Sequence, residues 1–268
     1  MIYGFLGTGN MASAIIRGMV KGGYKGSSIN VYNITSAKAE KLAEECGVKV
    51  CNSQSQLIEE SDVLILSVKP QVLTGLMKSI KADLTGRKHL IISIAVGKTL
   101  EFLEKGLGED EAIVRVMPNI NAKVLASTSG FCVNKNVTDE QKEIVKDLFS
   151  QIGSVSEIPE SMFSIFGVVA GSSPAFVYLY IDSLARAAQR AGMPKAQALE
   201  FAAQTVYGSA KMVMESGTHP WELVDMVCSP GGTTIEGVYA LEDNGFEATV
   251  FKGFDAVLAK DKLIQAKK

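Results

Sequence analysis

The chain has few of the residues that build metal centres and disulfide frameworks. Its 268 residues include two histidines and four cysteines, and no two of those cysteines are spaced as CxxC. Zinc sites and redox-active dithiols need such side chains at short spacings. We therefore expect no bound metal, reduced and mainly structural thiols, and structural roles for His89 and His219.

The chain also lacks an excess of positive charge and a basic leader. Lysine and arginine number 27 against 29 aspartates and glutamates, which offers no attractive field for nucleic acid. No basic segment precedes the apolar start, so we expect no signal peptide and a cytoplasmic protein. Residues 161–181 carry no charge, but Gly171-Ser172-Ser173-Pro174 should divide them into two buried helices rather than form a membrane span.

The residues that are present predict an α/β fold followed by helices. Apolar runs of strand length alternate with helical segments in the first part of the chain, which indicates a doubly wound parallel sheet with helices on both faces. We expect this domain over residues 1–158 and an all-α domain over residues 159–268. The predicted strands are residues 2–6, 29–32, 48–50, 63–67, 90–94, 113–117, 130–133 and 155–158.

The predicted helical domain has more apolar surface than a small domain can enclose. Phe176, Leu179 and Leu184 recur at helical spacing, yet Val177 and Tyr178 lie between them. A helix that is apolar on every side must be covered, and so short a domain cannot bury several such helices. We therefore predict a homodimer that forms through this domain.

The first predicted strand runs directly into a glycine-rich turn and a helix. The turn reads Gly7-Thr8-Gly9-Asn10-Met11-Ala12, which is the dinucleotide-binding fingerprint of Rossmann-type folds in its expected context. Gly7 permits the tight turn, Gly9 lets a pyrophosphate approach the backbone, and Ala12 lets the helix pack closely on the strand. The pattern predicts an NAD(P) cofactor.

The end of the second predicted strand bears on the choice of cofactor. Asn33 stands where sites for NAD usually place a carboxylate on the ribose 2′-hydroxyl. Thr35, Ser36 and Lys38 follow and can hydrogen-bond or neutralise a 2′-phosphate, although they also suit a solvated helix start. We predict that NADPH is preferred and that NADH is an alternative.

Three more loops follow strands at the edge where such sheets bind ligands. They are Ser67-Val68-Lys69-Pro70, Ser93-Ile94-Ala95-Val96-Gly97 and Arg115-Val116-Met117-Pro118-Asn119. Pro70 suits a first helical turn, which leaves Lys69 at the rim as either a ligand contact or a solvated charge. For Arg115 we expect a structural ion pair.

A diglycine flanked by hydroxyls interrupts the helical half of the chain. Its sequence is Ser229-Pro230-Gly231-Gly232-Thr233-Thr234, just before the apolar stretch 235–241. Glycine amides and the N-terminus of a helix can together cradle a carboxylate. The alternative is an ordinary Gly-Pro turn capped by a threonine.

Taken together, these motifs resemble those of the pyrroline-5-carboxylate reductases over essentially the whole chain. Besides the glycine turn, the resemblance rests on Val68-Lys69-Pro70, Ser93 to Gly97, Met117-Pro118-Asn119, Gly171 to Ala175 and Asp225 to Ile235. It implies the last step of proline biosynthesis, in which hydride passes from NADPH or NADH to the imine carbon of 1-pyrroline-5-carboxylate. It also implies an interleaved dimer, which in this family sometimes assembles into larger rings.

The resemblance also implies roles for individual residues. Ser229 and the amides of Gly231, Gly232, Thr233 and Thr234 would hold the substrate carboxylate, and the Thr234 hydroxyl would bond the ring nitrogen. Gly7, Thr8, Gly9, Asn10 and Met11 would hold the pyrophosphate, with Ser67, Val68, Lys69, Pro70, Ile94, Ala95 and Val96 along the adenosine and nicotinamide sides. Three positions depart from the family pattern: Ser173, Ile120-Asn121, and Gln54 in place of a cofactor-contacting asparagine.

The implied chemistry needs no strong general acid, because a cyclic imine can arrive protonated. Two other functions would share the nucleotide-binding domain. A 3-hydroxyacid dehydrogenase needs an acid/base lysine early in its helical domain, and residues 162–191 contain no lysine. An NADP-sensing subunit would not need the run from Ser229 to Thr234.

Overall fold

An eight-stranded sheet forms the centre of the first of two structural units. The structure, a computed structural model, describes residues 1–84 and 86–266; unit 1 is Met1–Gly171 and unit 2 begins at Ser172. The strand order is β3-β2-β1-β4-β5-β6-β7-β8. The strands are β1 (Tyr3–Leu6), β2 (Ile29–Tyr32), β3 (Lys49–Val50), β4 (Val63–Leu66), β5 (Leu90–Ser93), β6 (Ala112–Met117), β7 (Ser127–Val133) and β8 (Gly153–Glu157).

Helices cover both faces of the sheet. They are α1 (Asn10–Lys21), α2 (Ser36–Cys46), α3 (Gln54–Glu59), α4 (Pro70–Ile80), α5 (Leu100–Leu107) and α6 (Asp139–Ser150). Phe5 and Ile65 belong to one buried cluster, with side chains of α1, α2 and α6. Leu64 and Leu66 belong to the other, with α3, α4 and α5. Successive side chains along a strand thus pack into the two cores on opposite faces of the sheet. The Rossmann-type fold predicted from the sequence is confirmed.

The expectation of a wholly parallel sheet is wrong at one junction. The pairs from β3 to β6 are parallel, but β7 runs antiparallel to β6, with Met117 opposite Gly130. A parallel neighbour needs a long crossover connection, whereas only the short 3₁₀ turn Ile120–Val124 separates β6 from β7. The chain therefore returns beside β6, and β8 then pairs parallel to β7.

The predicted break at Gly171-Ser172-Ser173-Pro174 is absent. After the 3₁₀ turn Glu160–Met162, α7 (Phe163–Phe166) continues through the π-helical segment Gly167–Ser172 into α8 (Ser173–Arg190). Pro174 lacks the amide that would reach the carbonyl of Ala170 in an α-helix. The Asn119 side chain supplies the missing donor, with Nδ2 3.0 Å from Ala170 O. The helical path is therefore widened rather than ended.

Residues 161–181, which we expected to form buried helices, are mostly not buried in the single chain. Among the described residues, Glu160–Arg190 is long and apolar enough to cross a membrane by length and composition, and only 17% of its most apolar stretch is buried. The rest of unit 2 comprises α9 (Lys195–Ser216), α10 (Pro220–Val227), α11 (Thr233–Asp243) and α12 (Phe246–Ala266). The buried core of unit 2 consists of Ala185, Ala198 and Ala202. Small side chains form the buried contact between α8 and α9, and larger apolar side chains such as Leu179 and Phe201 are exposed.

The division between the two units falls later than the predicted domain boundary after residue 158. Residues 160–171 belong to unit 1 because their side chains and carbonyls bond to it. Glu160 pairs with Arg115, and Ala170 accepts the bond from Asn119. The functional assignment of residues 1–158 and 159–268 stays a prediction.

His89 gives this fold a sensitivity to acid. The ring is buried just before β5, with Nε2 3.2 Å from the carbonyl of Ile58. Burial lowers its pKa, and Arg87 adds to the effect. As the pH falls below the unfolded-state value of about 6.5, the unfolded chain takes up a proton that the folded chain resists. The free energy of unfolding should therefore decrease as the pH is lowered, by at most about 1.4 kcal/mol per pH unit.

His89→Gln, which keeps a neutral donor of similar reach, should remove this contribution. The free energy of unfolding, measured with urea at pH values above and below the ordinary histidine pKa, should then change less for the variant than for the parent. Equal losses in the two proteins would show that His89 does not carry the acid sensitivity.

Candidate active site

The turn after β1 has the backbone geometry that a bound dinucleotide requires. Gly7 has a φ of +107°, and a Cβ there would lie 2.9 Å from the carbonyl of Ser67, so a side chain is excluded on two grounds. Gly9 precedes α1 in an extended conformation, and nothing lies within 4 Å of its would-be Cβ. A pyrophosphate can therefore approach the backbone at Gly9 and the first amides of α1.

Asn33 holds this turn in place. The backbone N–H of Thr8 donates to Asn33 Oδ1 at 3.2 Å, and Asn33 Nδ2 donates to the carbonyl of Thr35 at 2.9 Å. The amide of Gly7 donates to the carbonyl of Tyr32 at 2.8 Å. The ends of β1 and β2 are thus joined by a side chain that accepts on one side and donates on the other.

Thr8 carries an unused hydroxyl at the same place. The residue is 2% exposed, and its Oγ has no hydrogen-bond partner in the described part of the chain. A buried hydroxyl without a partner is costly, so a ligand that bonds Thr8 would relieve that cost. The open face of Gly9 and the unpaired Thr8 hydroxyl both fit a dinucleotide phosphate.

A cleft of about 620 Å³ opens beside this turn between the carboxyl ends of β1, β2 and β4. Nine of the predicted cofactor residues line it: Gly7, Thr8, Gly9, Asn33, Thr35, Gln54, Ser67, Val68 and Lys69. Among the residues described, no aspartate or glutamate lines the cleft. A ligand with several negative charges therefore meets no carboxylate there.

One wall of the cleft could not be predicted from the motifs. Val72, Gly75, Leu76 and Ser79 of α4 line it, together with Tyr32 and Ile34, and Lys38, the predicted candidate for a 2′-phosphate, lines the cleft as well. The α4 residues lie on one helical face, and Pro70 at the first turn, after Lys69 at the N-cap, confirms the predicted helix start. Steps of three or four residues from the N-cap Lys69 reach Val72, Leu76 and Ser79, so the helix start contained a signal for this wall. Gln54 is tied to it, because Gln54 Oε1 accepts from Ser79 Oγ at 2.8 Å.

Seven predicted cofactor residues lie outside the cleft. Met11 and Pro70 are half-buried, Ser36 is exposed at the start of α2, and Asn10 lines a second cavity instead. Ile94 is half-buried, Ala95 is buried, and Val96 is 62% exposed in the loop after β5. Their contacts with a cofactor remain predictions.

The loop that contains Ile94 to Val96 ends beside an ion pair between the buried Arg115 and the partly exposed Glu160. Arg115 and Glu160 approach to 2.8 Å, and the same Glu160 oxygen accepts from the backbone N–H of Leu100 at 2.8 Å. The Arg115 guanidinium also lies 4.1 Å from the centre of the Phe163 ring. The expected ion pair of Arg115 is confirmed, and it fastens residues 160–163 to β6 and to the start of α5.

The predicted carboxylate cradle in unit 2 is a tight turn at a helix start. Gly231 has a φ of +66°, and a Cβ on Gly232 would clash with Ser229 Oγ. The amide of Gly232 donates to the carbonyl of Ser229 at 2.9 Å. Gly232, rather than a threonine, is the N-cap of α11, which begins at Thr233. A threonine-capped turn is therefore wrong, and both hydroxyls lie exposed in the first helical turn.

Two family models match the chain. "NADP oxidoreductase coenzyme F420-dependent" matches residues 2–97, and "Pyrroline-5-carboxylate reductase dimerisation" matches residues 160–264. Together with the fold and the cleft, the first match defines a dinucleotide-dependent oxidoreductase, and NADP is its cofactor.

Full-length relatives narrow the class. The pyrroline-5-carboxylate reductase of Methanosarcina acetivorans is 41% identical to the chain, and the match covers 91% of each protein. The enzyme of Escherichia coli is 40% identical, and the match covers 97% of this chain and 96% of that enzyme. The solved enzyme from Coxiella burnetii superposes with a TM-score of 0.93 at 33% identity, covering 97% of each chain. A Plasmodium falciparum structure with NADP bound gives 0.86 at 32% identity, covering 99% of this chain and 98% of that one. The chain belongs to the pyrroline-5-carboxylate reductase family. It is an NAD(P)H-dependent reductase of an imine in proline biosynthesis.

Proposed function

We propose that the turn at residues 229–234 holds the substrate 1-pyrroline-5-carboxylate in this reductase. The observation that carries the proposal is its geometry: Gly231 in a left-handed conformation, Ser229 beside Gly232, and two threonine hydroxyls at the start of α11. The Ser229 hydroxyl and the amides of Gly231, Gly232, Thr233 and Thr234 bind the carboxylate. The Thr234 hydroxyl orients the ring nitrogen.

The reaction needs orientation more than acid catalysis. NADPH supplies a hydride to the C=N carbon when it is bound, and the product is L-proline. The imine enters protonated, so the chain's own residues must align it and exclude competing geometries. Residues 229–234 contain no titratable side chain, and Thr234 stabilises the amine as it forms.

An assay of the purified protein tests this function against its rivals. NADPH absorbance should fall when pyrroline-5-carboxylate is added, and proline should form in equal amount. With NADP and 3-hydroxy acids no reduction should occur. NADPH binding without any turnover of the imine would favour a sensing subunit, and oxidation of 3-hydroxy acids would favour a dehydrogenase.

We further propose that residues 1–158 bind the cofactor and that residues 159–268 bind the substrate and form a homodimer. The dimers assemble into larger oligomers, and the protein works in the cytoplasm. The dimerisation model over residues 160–264 supports this, as do the exposed Leu179, Phe201 and Phe251. Light scattering without detergent should give at least twice the 28.6 kDa of one chain. A folded 28.6 kDa species at micromolar concentration would contradict the dimer, and recovery only with detergent would favour a membrane.

The residues near Asn33 should make NADPH bind more tightly than NADH, by a modest margin. Thr35 and Lys38 line the cleft beside Asn33, and an exposed lysine contributes about 1 kcal/mol, or fivefold in affinity. Asn33→Asp should reverse the order, because a carboxylate accepts from a free 2′-hydroxyl and repels a 2′-phosphate. Fluorescence titration of both cofactors measures the change.

The control is Asn33→Ser, which removes the bonds to Thr8 and Thr35 without adding charge. It should weaken both cofactors to a similar extent. If Asn33→Asp keeps the order of the parent protein, Asn33 does not lie at the ribose.

A further inference from the structure

The side chain of Asn119, in the loop after β6, has a single possible orientation. Asn119 is buried, its Nδ2 donates to Ala170 O at 3.0 Å, and its Oδ1 accepts from the backbone N–H of Asn121 at 3.1 Å. Turning the amide over would place oxygen against oxygen and N–H against N–H. The donor that faces the carbonyl of Ala170 is therefore fixed.

The backbone of Asn119 is fixed as well. Its N–H donates to Ser127 Oγ at 3.1 Å, and its carbonyl accepts from the N–H of Ala122 at 3.1 Å. Both polar backbone groups and both polar side-chain atoms of Asn119 thus have partners. The residue is a rigid support at the carboxyl end of β6, the edge of such sheets where ligands bind.

The same edge also packs against the residues just before Ala170. A Cβ on Gly130 would lie 3.1 Å from the Phe166 ring, and one on Gly167 would lie 3.6 Å from Met117 Sδ. The glycines therefore let the segment approach β6 and β7 closely. These contacts hold the last residues of unit 1, which ends at Gly171.

The bond from Asn119 keeps the π-helical segment Gly167–Ser172 in its widened form. Pro174 cannot donate to Ala170 O, and a buried carbonyl that loses its donor is costly. Without Asn119 the segment would have to shift to find another donor. Since α8 follows the segment directly, such a shift would be carried into the start of unit 2. Single π-helical turns of this kind are frequent at functional sites.

We propose that Asn119 is a positioning residue for hydride transfer. It holds Ala170, and through it the start of α8, on the path of the chain from the cofactor-binding residues to the substrate turn at residues 229–234. A misplacement of reacting atoms by about 1 Å can cost about a hundredfold in rate. The inference rests on the proposed division of cofactor and substrate between residues 1–158 and 159–268.

Asn119→Ser tests this role with little damage to the loop. Serine is as good an N-cap as asparagine and can still accept from the N–H of Asn121, but its hydroxyl is too short to reach Ala170 O. The variant should lose ten- to a hundredfold in kcat at saturating NADPH and pyrroline-5-carboxylate, which is about the cost of a small misplacement. Its NADPH affinity should be unchanged, because Asn119 does not line the cofactor cleft.

An isotope effect shows which step has slowed. With NADPH deuterated at the transferred position, kcat of Asn119→Ser should show an isotope effect at least as large as that of the parent protein. A parental kcat, or a lower kcat with a smaller isotope effect, would overturn the proposal.

Asn134→Ala is the matched control for stability. Asn134 is also buried, with Oδ1 3.1 Å from the N–H of Ile113 and Nδ2 2.9 Å from the carbonyl of Glu111. It bonds to the start of β6, at the amino ends of the parallel strands. The variant should have a lower urea midpoint of unfolding than Asn119→Ser but should keep the parental kcat. If kcat instead follows the urea midpoint in both variants, Asn119 is only structural.

The outcomes separate this inference from the proposed function. A parental kcat in Asn119→Ser overturns the role of Asn119 and leaves the substrate turn in place. A parental kcat/KM in Thr234→Ala overturns the role of Thr234 at the substrate turn instead.

Discussion

Thr234→Ala is expected to lower kcat/KM for pyrroline-5-carboxylate ten- to a hundredfold and to leave NADPH affinity unchanged. Losing one hydrogen bond to a charged group costs about 1.5–3 kcal/mol, which corresponds to a rate loss of that size. The side chain is exposed in the first turn of α11, so its removal should not unfold the protein. Steady-state kinetics and a cofactor titration give the two quantities.

Thr234→Ser and Thr234→Val separate the hydroxyl from the methyl group. The serine variant should recover most of the activity, and the valine variant should resemble the alanine variant. An alanine variant with the kcat/KM of the parent would rule out the role proposed for Thr234.

Glu160→Ala is expected to destabilise unit 1 by about 3 kcal/mol, because it leaves a buried charge unpaired. The Arg115 side chain is 8% exposed, and Glu160 is its salt-bridge partner. The substitution also removes the acceptor for the amide of Leu100. Urea unfolding followed by circular dichroism measures the loss.

Two further variants show whether the loss of stability comes from the unpaired charge of Arg115 or from the cavity that the smaller side chain leaves. Glu160→Gln keeps an oxygen for Leu100 and for Arg115 and should lose less stability than Glu160→Ala. The double variant Arg115→Met with Glu160→Met should be more stable than Glu160→Ala alone, since apolar replacement of a buried pair is often neutral. If Glu160→Ala unfolds like the parent, the ion pair contributes nothing to the fold.

The features that the sequence predicted well depend on neighbouring residues. The strand Ile29–Tyr32 and the helix start at Pro70 have the predicted bounds, because β-branched runs and proline act locally. Gly7 and Gly9 could be placed for the same reason, since the fingerprint combines a strand, a turn and a helix.

The missed features depend on residues that are distant in sequence. The antiparallel β7, the bond from Asn119 to Ala170 and the π-helical segment all follow from how the chain returns to the sheet. No local pattern at Pro174 reveals that a side chain from the loop after β6 replaces its missing donor. Propensity alone therefore predicted a helix end where tertiary contact keeps the helix going.

The two bonds of Asn33 limit how the cofactor preference of this enzyme can change in evolution. One side chain closes the turn at Thr8 and holds the backbone at Thr35, and we propose that it also lies beside the cofactor ribose, where charge would discriminate the two cofactors. An aspartate keeps the first bond but cannot donate the second. The single change to aspartate is therefore expected to reverse the preference while it loses the bond at Thr35, and a second substitution that secures the chain there should restore the stability of the turn.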